Sequence, residues 1–136
     1  MIFLDTSGIF ALAARDDQNH KATRRAFDAA LKADEEFLVH SYVLVEAAAL
    51  LQKRLGIDSA LTFLQEARDF QVTWVSPELH HDAVAYLEKR RRSKISLVDA
   101  VSFLVMRAEK VERYLGFDRH FEEEGFHQCR GMRDEV

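Results

Sequence analysis

The sequence predicts a single α/β domain built on a parallel β-sheet with helices on both faces. Short apolar runs typical of buried strands alternate along the chain with longer amphipathic stretches typical of helices. A length of 136 residues is enough for one such domain to bury a sizeable core. We expect about four or five strands, a domain covering residues 1–131, and a short C-terminal tail at residues 132–136.

Apolar runs, capping residues and helix breakers place the elements in order along the chain. Residues 1–4 read as a buried strand, and Thr6 or Ser7 is positioned to cap the helix that follows it. Gly56 is expected to end a helix that Ser41 caps. The further helices are predicted at residues 20–33, 41–55, 58–69, 77–92, 96–108 and 118–124, and the further strands at residues 37–39, 72–75, 113–117 and 126–129. The leucines and the alanine expected to face the core in two of these helices are Leu44, Ala48, Leu51, Leu55, Leu61 and Leu64.

The composition is that of a soluble globular protein, with 48% hydrophobic and 31% charged residues. The net charge of −4 means that a nucleic-acid site would need a local basic patch or a metal ion. The single cysteine, Cys129, excludes an intrachain disulfide and fits a reducing cytoplasm. No apolar run approaches the roughly 18 residues of a membrane span, so we expect a cytoplasmic protein that does not associate with membranes.

Four acidic residues occur in apolar surroundings at comparable places in the predicted fold. Asp5 and Asp118 follow strands, and Glu46 and Asp99 lie early in helices that follow strand-like segments. Strand ends and helix starts share one edge of a parallel sheet, so we expect these carboxylates to converge. Converging carboxylates repel one another unless they are protonated or bridged by a divalent cation, and oxygen ligands favour Mg²⁺ or Mn²⁺. With one cysteine and no H-E-x-x-H motif, the sequence does not favour a zinc site.

Glu46 is the most informative of the four acids. Its helix neighbours at positions 42, 43, 49 and 50 are Tyr, Val, Ala and Leu, which do not form a solvated face or offer a basic partner. An unpaired carboxylate there would cost several kcal/mol or raise its pKa, unless a cation is present. The alternatives are a glutamate at an oligomer interface, or one paired with a basic residue from elsewhere in the fold.

Each remaining acid also has a purely structural interpretation. Asp5 could cap the helix after the first strand, and Asp118 could cap a short helix. Ser96 and Asp99 have the spacing of a capping box, so Ser96 is also a candidate for supporting Asp99 at a site. His120 is close to Asp118 in sequence, but an exposed helix histidine is the simpler expectation than a catalytic one.

The densest basic cluster covers residues 89–92 together with Lys94, just before Asp99. Arg91, Arg92 and Lys94 are therefore candidates for holding nucleic-acid phosphates beside the acidic edge. The alternative is a solvated helix end, where cations are favourable near the helix C-terminus.

Taken in order, the motifs resemble those of PIN domains, and specifically the VapC-type toxins of bacterial and archaeal toxin–antitoxin pairs. No single stretch is specific, but their order and spacing cover nearly the whole chain. The matching stretches are Phe3–Ser7, Val45–Ala47, Ser96–Phe103, Gly116–Phe121 and Gly125–Phe126.

This resemblance implies a Mg²⁺- or Mn²⁺-dependent endoribonuclease that cuts RNA phosphodiesters through metal-activated water. It implies metal ligation by Asp5 and Asp99, with Glu46 and Asp118 completing the acidic cluster directly or through water, and Ser7 orienting Asp5 or the water. It also implies a homodimer, inhibited by an antitoxin protein whose tail occupies the active-site groove.

One position departs from the resemblance, and two other functions stay open. Many relatives carry Thr or Ser two positions before the fourth acid, where this chain has Gly116. A catalytically silent PIN-like binding module is the main alternative, although all four acids are present. A phosphatase of the haloacid dehalogenase type would need an aspartate where Ser7 stands, and a receiver domain would need adjacent acids near the first strand.

Overall fold

The fold is a parallel five-stranded sheet in a computed structural model that describes residues 1–91 and 94–132. The strands occur in the order β3-β2-β1-β4-β5, with β1 at the centre, and every pairing is parallel. This confirms the predicted fold class. The strands are β1 (Ile2–Leu4), β2 (Phe37–His40), β3 (Gln71–Thr73), β4 (Arg113–Leu115) and β5 (His127–Gln128).

Helices connect the strands, as parallel pairing requires. A short 3₁₀ turn, Ala67–Asp69, precedes β3. The helices are α1 (Thr6–Ala13), α2 (His20–Lys32), α3 (Ser41–Leu55), α4 (Ile57–Glu66), α5 (Pro77–Arg90), α6 (Leu97–Ala108) and α7 (His120–Glu123). Among the described residues, no helix is long and apolar enough to cross a membrane.

The strand order places a topological switch point between β1 and β4. From β1 the chain moves outward to β2 and β3, and then returns across the sheet to β4 on the other side of β1. Because crossovers between parallel strands are right-handed, α1–α4 and the pair α5–α6 cover opposite faces. In sheets of this kind, ligands bind beyond the carboxyl ends of the strands at the switch point.

Aromatic side chains fill the core beneath this edge. Phe3, Phe103, Tyr114 and Phe121 are each fully buried, and the Tyr114 and Phe121 rings stack with centroids 4.7 Å apart. Gly8 brings α1 close to β4, since a Cβ at this position would lie 2.2 Å from the carbonyl oxygen of Leu115. The close approach holds the start of α1, and so the end of β1, against the neighbouring strand.

The caps of two helices differ from the prediction. Thr6 and Ser7 lie inside the first turn of α1 and make no capping bond to it. His40 rather than Ser41 caps α3, because the His40 Nδ1 accepts from the Val43 amide. Ser41 is the first helical residue, and its hydroxyl instead accepts from the Val75 amide at 2.9 Å.

The predicted inward faces of α3 and α4 are partly wrong. Leu44 and Leu51 are buried, whereas Leu55 is 39% exposed. In α4 the exposed fractions of Leu61 and Leu64 are 46% and 38%. Ala60 and the ring of Phe63 face the core instead, together with Ala67 after the helix. The predicted domain boundary at residue 131 stays a prediction, since residues 133–136 lie outside the described residues.

Candidate active site

Asp5 lies directly beyond the end of the central strand. Its amide donates to the Leu115 carbonyl at 3.1 Å, which extends the pairing of β1 with β4 by one residue. Asp5 is only 5% exposed, and although it occupies the position before α1, its side chain makes no capping hydrogen bond to that helix. The capping interpretation of Asp5 therefore does not account for its burial.

The Ser7 hydroxyl connects Asp5 to the segment after β4. It donates to Asp5 Oδ2 at 2.8 Å and accepts from the Phe117 amide at 2.8 Å. This arrangement explains the glycine at position 116, because a Cβ there would lie 2.8 Å from the Asp5 Cβ and 3.1 Å from the Ser7 Oγ. The Ser7 hydroxyl and Asp5 thus occupy the space that a side chain at position 116 would need.

Glu46 reaches the same edge from the second turn of α3. Its Oε1 accepts a hydrogen bond of 2.6 Å from the Thr6 hydroxyl, so it is held by the residue next to Asp5. The predicted apolar surroundings of Glu46 are wrong, because Glu46 is exposed and its neighbour Val45 is 70% exposed. The reason is that α3 turns Val43 and Ala47 inward, which leaves the Glu46 side of the helix facing solvent. Thr6 had no predicted role at the site.

Asp99 lies in the first turn of α6 and makes the predicted capping box. Its Oδ2 accepts from the Ser96 amide at 3.0 Å, and the Ser96 hydroxyl accepts from the Asp99 amide at 3.1 Å. Burial raises the pKa of Asp99, and the nearby charges of Asp118 and Glu46 raise it further. The capping role and a role in binding a cation are therefore compatible, because the capping bonds fix a carboxylate that lies near those of Asp118 and Glu46.

Asp118 is paired with His120, for which the sequence favours an exposed position without a role at the site. Asp118 Oδ1 accepts from the His120 amide at 2.9 Å and lies 2.7 Å from the His120 Nδ1. Asp99, Asp118 and His120 each present a potential ligand atom, and these atoms lie within 4.8 Å of one another. The D-x-H spacing was the only signal for His120 in the sequence, and spacing alone does not show where an imidazole points.

The charges of the four acids act on one another, since Asp118 and Glu46 act on Asp99, and Asp99 and Asp118 act on Asp5. Burial raises the pKa of Asp5 to about 7, and the charges of Asp99 and Asp118 contribute to the rise. Such a site favours either protonation or a bound cation. Carboxylate oxygens, with an imidazole nitrogen beside them, are donors that divalent ions such as Mg²⁺ and Mn²⁺ accept. The donor set therefore fits a divalent cation.

The basic cluster is only partly described. Arg91 and Lys94 are exposed, and Arg91 ends α5 in the left-handed conformation with φ 47°. Arg90 points elsewhere, since it forms an ion pair of 2.9 Å with Glu124. Arg92 lies outside the described residues, so its predicted contact with RNA stays a prediction.

A groove of about 830 Å³ lies away from the acids. It runs between α1, α2 and α4, and Phe27 and Phe63 contribute to its lining. None of the four acids lines this groove, so the groove and the acidic cluster are separate features of the surface.

Comparison with known proteins shows one consistent similarity. The sequence pattern of the PIN domain family matches residues 2–126. The chain is 30% identical over 132 residues to the 23S rRNA-specific endonuclease VapC20 of Mycobacterium tuberculosis, from strains H37Rv and CDC 1551, and the match covers 96% of this chain and 98% of each relative. The crystal structure of M. tuberculosis VapC20, described as a sarcin-ricin loop cleaving toxin, superposes with a TM-score of 0.80 at 29% identity, covering 93% of this chain and 96% of that one.

The raised pKa of Asp5 gives a pH-dependent prediction for the metal-free protein. The folded state holds a proton on Asp5 up to a pH of about 7, whereas the unfolded chain releases it near 3.8. Ionisation of Asp5 therefore favours the unfolded state, and the free energy of unfolding should fall as the pH rises from about 4 to above 7. With divalent ions chelated, Asp5→Asn should stabilise the protein at pH 8 by up to about 4 kcal/mol, and this gain should shrink towards pH 4.

Urea denaturation across this pH range measures the effect. Asp69→Asn is the matched control, because Asp69 is exposed and lies just before β3, at the end of the sheet opposite the acids. The control should show no such pH-dependent gain. An Asp5→Asn protein that is less stable than the wild type at pH 8 would contradict the electrostatic description.

Proposed function

The chain belongs to the PIN domain family, and we propose that it is a metal-dependent endoribonuclease acting as the toxin of a toxin–antitoxin pair. The observation that carries this proposal is that Asp5 is buried beyond the central strand at the switch point of the sheet, where the charges of Asp99 and Asp118 act on it and that of Glu46 acts on Asp99. The similarity to a ribosomal RNA endonuclease over nearly the whole chain supports RNA as the substrate class.

Asp5 and Asp99 would hold the divalent ion, Mg²⁺ or Mn²⁺, with Glu46 and Asp118 completing the site directly or through water. When bound, such an ion polarises water for attack and neutralises charge that develops on the phosphodiester. Ser7 fixes the Asp5 carboxylate by donating to its Oδ2. Thr6 does the same for Glu46, so neighbouring hydroxyls of one helix turn orient two carboxylates.

The remaining residues of the site position the other two acids. The capping box with Ser96 holds Asp99 at the start of α6. The backbone amide of His120 holds Asp118, with the imidazole at hydrogen-bonding distance. Carboxylates held in this way need little reorganisation when a cation enters, and preorganised charge of this kind is what accelerates phosphodiester hydrolysis.

Removing one acid should abolish RNA cleavage without unfolding the protein. Asp5→Asn and Asp99→Asn keep the shape of the side chain but remove a carboxylate that would hold the ion. The ion stabilises the transition state by several kcal/mol. We expect each variant to lower the cleavage rate at least about 100-fold in a gel assay with Mg²⁺ or Mn²⁺. A short RNA carrying the sarcin–ricin loop and an unrelated structured RNA serve as substrates, and Asp69→Asn is the control.

The same assay separates the enzyme from a silent binding module. Protein freed of any bound antitoxin should cleave RNA when Mg²⁺ or Mn²⁺ is present and should stop when the ion is chelated. RNA that is bound but left uncut with either ion would favour the binding module. Cleavage that survives in Asp5→Asn would disprove the assignment of the site.

We also propose that Arg91 and Lys94, together with Arg92, hold the RNA backbone. The evidence is that Arg91 and Lys94 are exposed and precede α6, whose first turn carries Asp99. Binding of phosphates by basic side chains makes the affinity depend on salt. The double variant Arg91→Glu with Lys94→Glu should weaken RNA binding and lower the slope of log affinity against log salt by roughly 0.7 for each phosphate that the variant no longer binds.

Filter binding or fluorescence anisotropy at several salt concentrations tests this, in the Asp5→Asn background to prevent cleavage. The matched control is Lys53→Glu with Arg54→Glu, two charge reversals in the last turn of α3, at the end of that helix away from the acids. If affinity and salt slope are unchanged in the Arg91/Lys94 variant, the basic cluster does not contact RNA.

We propose further that the chain forms a homodimer through the surface around Val45 and Trp74. These side chains are 70% and 72% exposed, the highest values among the large apolar side chains described. The two side chains lie near one hydrogen bond, which the Val75 amide donates to the Ser41 hydroxyl. Val75 is next to Trp74, and Ser41 lies one helical turn before Val45. Apolar side chains exposed together in this way are typical of protein interfaces.

Trp74→Glu should therefore convert a dimer into a monomer, since it places a charge in an apolar contact. Light scattering after size exclusion gives the mass directly. Leu61→Glu is the control, because Leu61 is also an exposed apolar residue but lies on α4, and this substitution should leave the mass unchanged. A dimeric Trp74→Glu protein would place the interface elsewhere.

The proposed partner is an antitoxin protein that blocks the acidic edge, and the proposed location is the cytoplasm. Both follow from the family and from the relatives' description as toxins. Co-expression with the adjacent reading frame, followed by purification on a tag fused to this chain, tests the partnership. A stoichiometric complex that no longer cleaves RNA is the expected result.

A further inference from the structure

His40 is a fully buried histidine at the centre of the elements that carry the four acids. It is the last residue of β2, it caps α3, and it is 0% exposed. It does not belong to the acidic cluster. Buried polar side chains are costly unless all their hydrogen bonds are made, so the partners of its two ring nitrogens are informative.

The hydrogen bonds of His40 form a chain with one direction. The Val43 amide donates to His40 Nδ1 at 3.3 Å, so Nδ1 is an acceptor and the ring proton belongs on Nε2. Nε2 then donates to the Ser102 hydroxyl at 2.8 Å, and this hydroxyl donates to the Val98 carbonyl at 2.9 Å. The ring and the hydroxyl thus join a backbone amide of α3 to a backbone carbonyl of α6.

Each end of this chain is close in sequence to an acid of the site. Val43 lies one helical turn before Glu46, and Val98 is the residue next to Asp99. The two bonded groups therefore fix the first turn of α3 relative to the first turn of α6. These two helices belong to different crossovers on opposite faces of the sheet, so no local backbone geometry sets the separation of the Glu46 and Asp99 carboxylates.

The imidazole also packs against the strand that carries Asp5. Its ring stacks on Phe3 with centroids 5.7 Å apart and an interplanar angle of 27°. Phe3 lies two residues before Asp5, and it contacts Phe121 at 6.0 Å, three residues after Asp118. One side chain is thus in contact with β1, α3 and α6, and through Phe3 with the segment after β4.

His40 is neutral near neutral pH, because burial lowers its pKa to about 3. A ring that stays neutral holds one tautomer, and the direction of its hydrogen-bond chain does not change with pH. A fixed tautomer is what a spacer between two helices needs.

We propose that His40 and Ser102 are positioning residues that set the separation of the Glu46 and Asp99 carboxylates, and thereby the affinity of the acidic edge for a divalent ion. The inference rests on the proposed function, because it assumes that the acids share a cation. In this proposal His40 and Ser102, which lie outside the site, keep the two carboxylates at the separation that the ion requires.

The measurement is Mn²⁺ affinity without RNA, followed by the decrease of the free-ion electron paramagnetic resonance signal. Ser102→Ala removes the acceptor of the Nε2 proton and should weaken Mn²⁺ binding about tenfold, the effect typical of removing a supporting hydrogen bond around a metal site. His40→Gln keeps an amide donor directed at Ser102 and should retain affinity within about threefold of the wild type. His40→Phe keeps a ring against Phe3 but no donor, and should resemble Ser102→Ala.

Val105→Ala is the control for a purely structural effect. Val105 is buried in α6, one turn beyond Ser102, and takes no part in the hydrogen-bond chain. The truncation should lower the stability of the fold, which urea denaturation measures in every variant, but should change Mn²⁺ affinity less than about twofold. A positioning role predicts that affinity follows the hydrogen-bond chain and not the loss of stability.

The outcomes separate this inference from the proposed function. Wild-type affinity in Ser102→Ala, or equal losses of affinity in Ser102→Ala and Val105→Ala, would overturn the positioning role and leave the proposed metal site intact. A wild-type protein that binds no Mn²⁺, or binds it equally well after Asp5→Asn, would overturn both.

Discussion

The repulsion between carboxylates at the switch point of the sheet is the constraint on which the site depends. The chain places Asp5 beyond the central strand, where burial raises its pKa to about 7, and the nearby charges of Asp99 and Asp118 add to the rise. A fold selected for stability alone has no use for this arrangement, because an apolar or amide side chain at position 5 would relieve the repulsion. The cost is understandable if a cation occupies the edge during function, which is the general relation between perturbed charges and active sites.

The rest of the molecule can be understood as the support for that edge. Gly8 lets α1 begin against β4, and Gly116 leaves room for the Ser7 hydroxyl beside Asp5. Thr6 reaches across to Glu46. Below them, His40 ties together the first turns of the two helices that carry Glu46 and Asp99. Small residues and hydrogen bonds thus hold four carboxyl groups in place at this edge.

Much of this could be predicted from the sequence, since the alternation of strands and helices determines which residues meet at one edge of a parallel sheet. The proximity of Asp5, Asp99 and Asp118 was predicted in this way, because each follows a strand or begins a helix, and the charges of the latter two do act on Asp5. The environment of Glu46 was predicted incorrectly, because neighbours within one helix do not show how that helix is rotated against the sheet. The same limitation explains Leu61 and Leu64, which are exposed because the core accepts Ala60 and Phe63 in their place. The roles of Thr6 and His40 depend on partners 40 and 62 residues away in sequence, and no local pattern records such a pairing.

The most direct test of the account is the location of a divalent ion in crystals of the protein grown or soaked with Mn²⁺. An anomalous difference map recorded near the manganese absorption edge identifies the ion independently of the surrounding density. The account predicts a peak at the carboxyl edge of the sheet, with direct oxygen contacts from Asp5 and Asp99, at the roughly 2.0–2.2 Å typical of divalent ions of this size, and with Glu46 and Asp118 bound directly or through water. A peak bound only by other residues, or no peak at this edge in a protein that cleaves RNA, would contradict it.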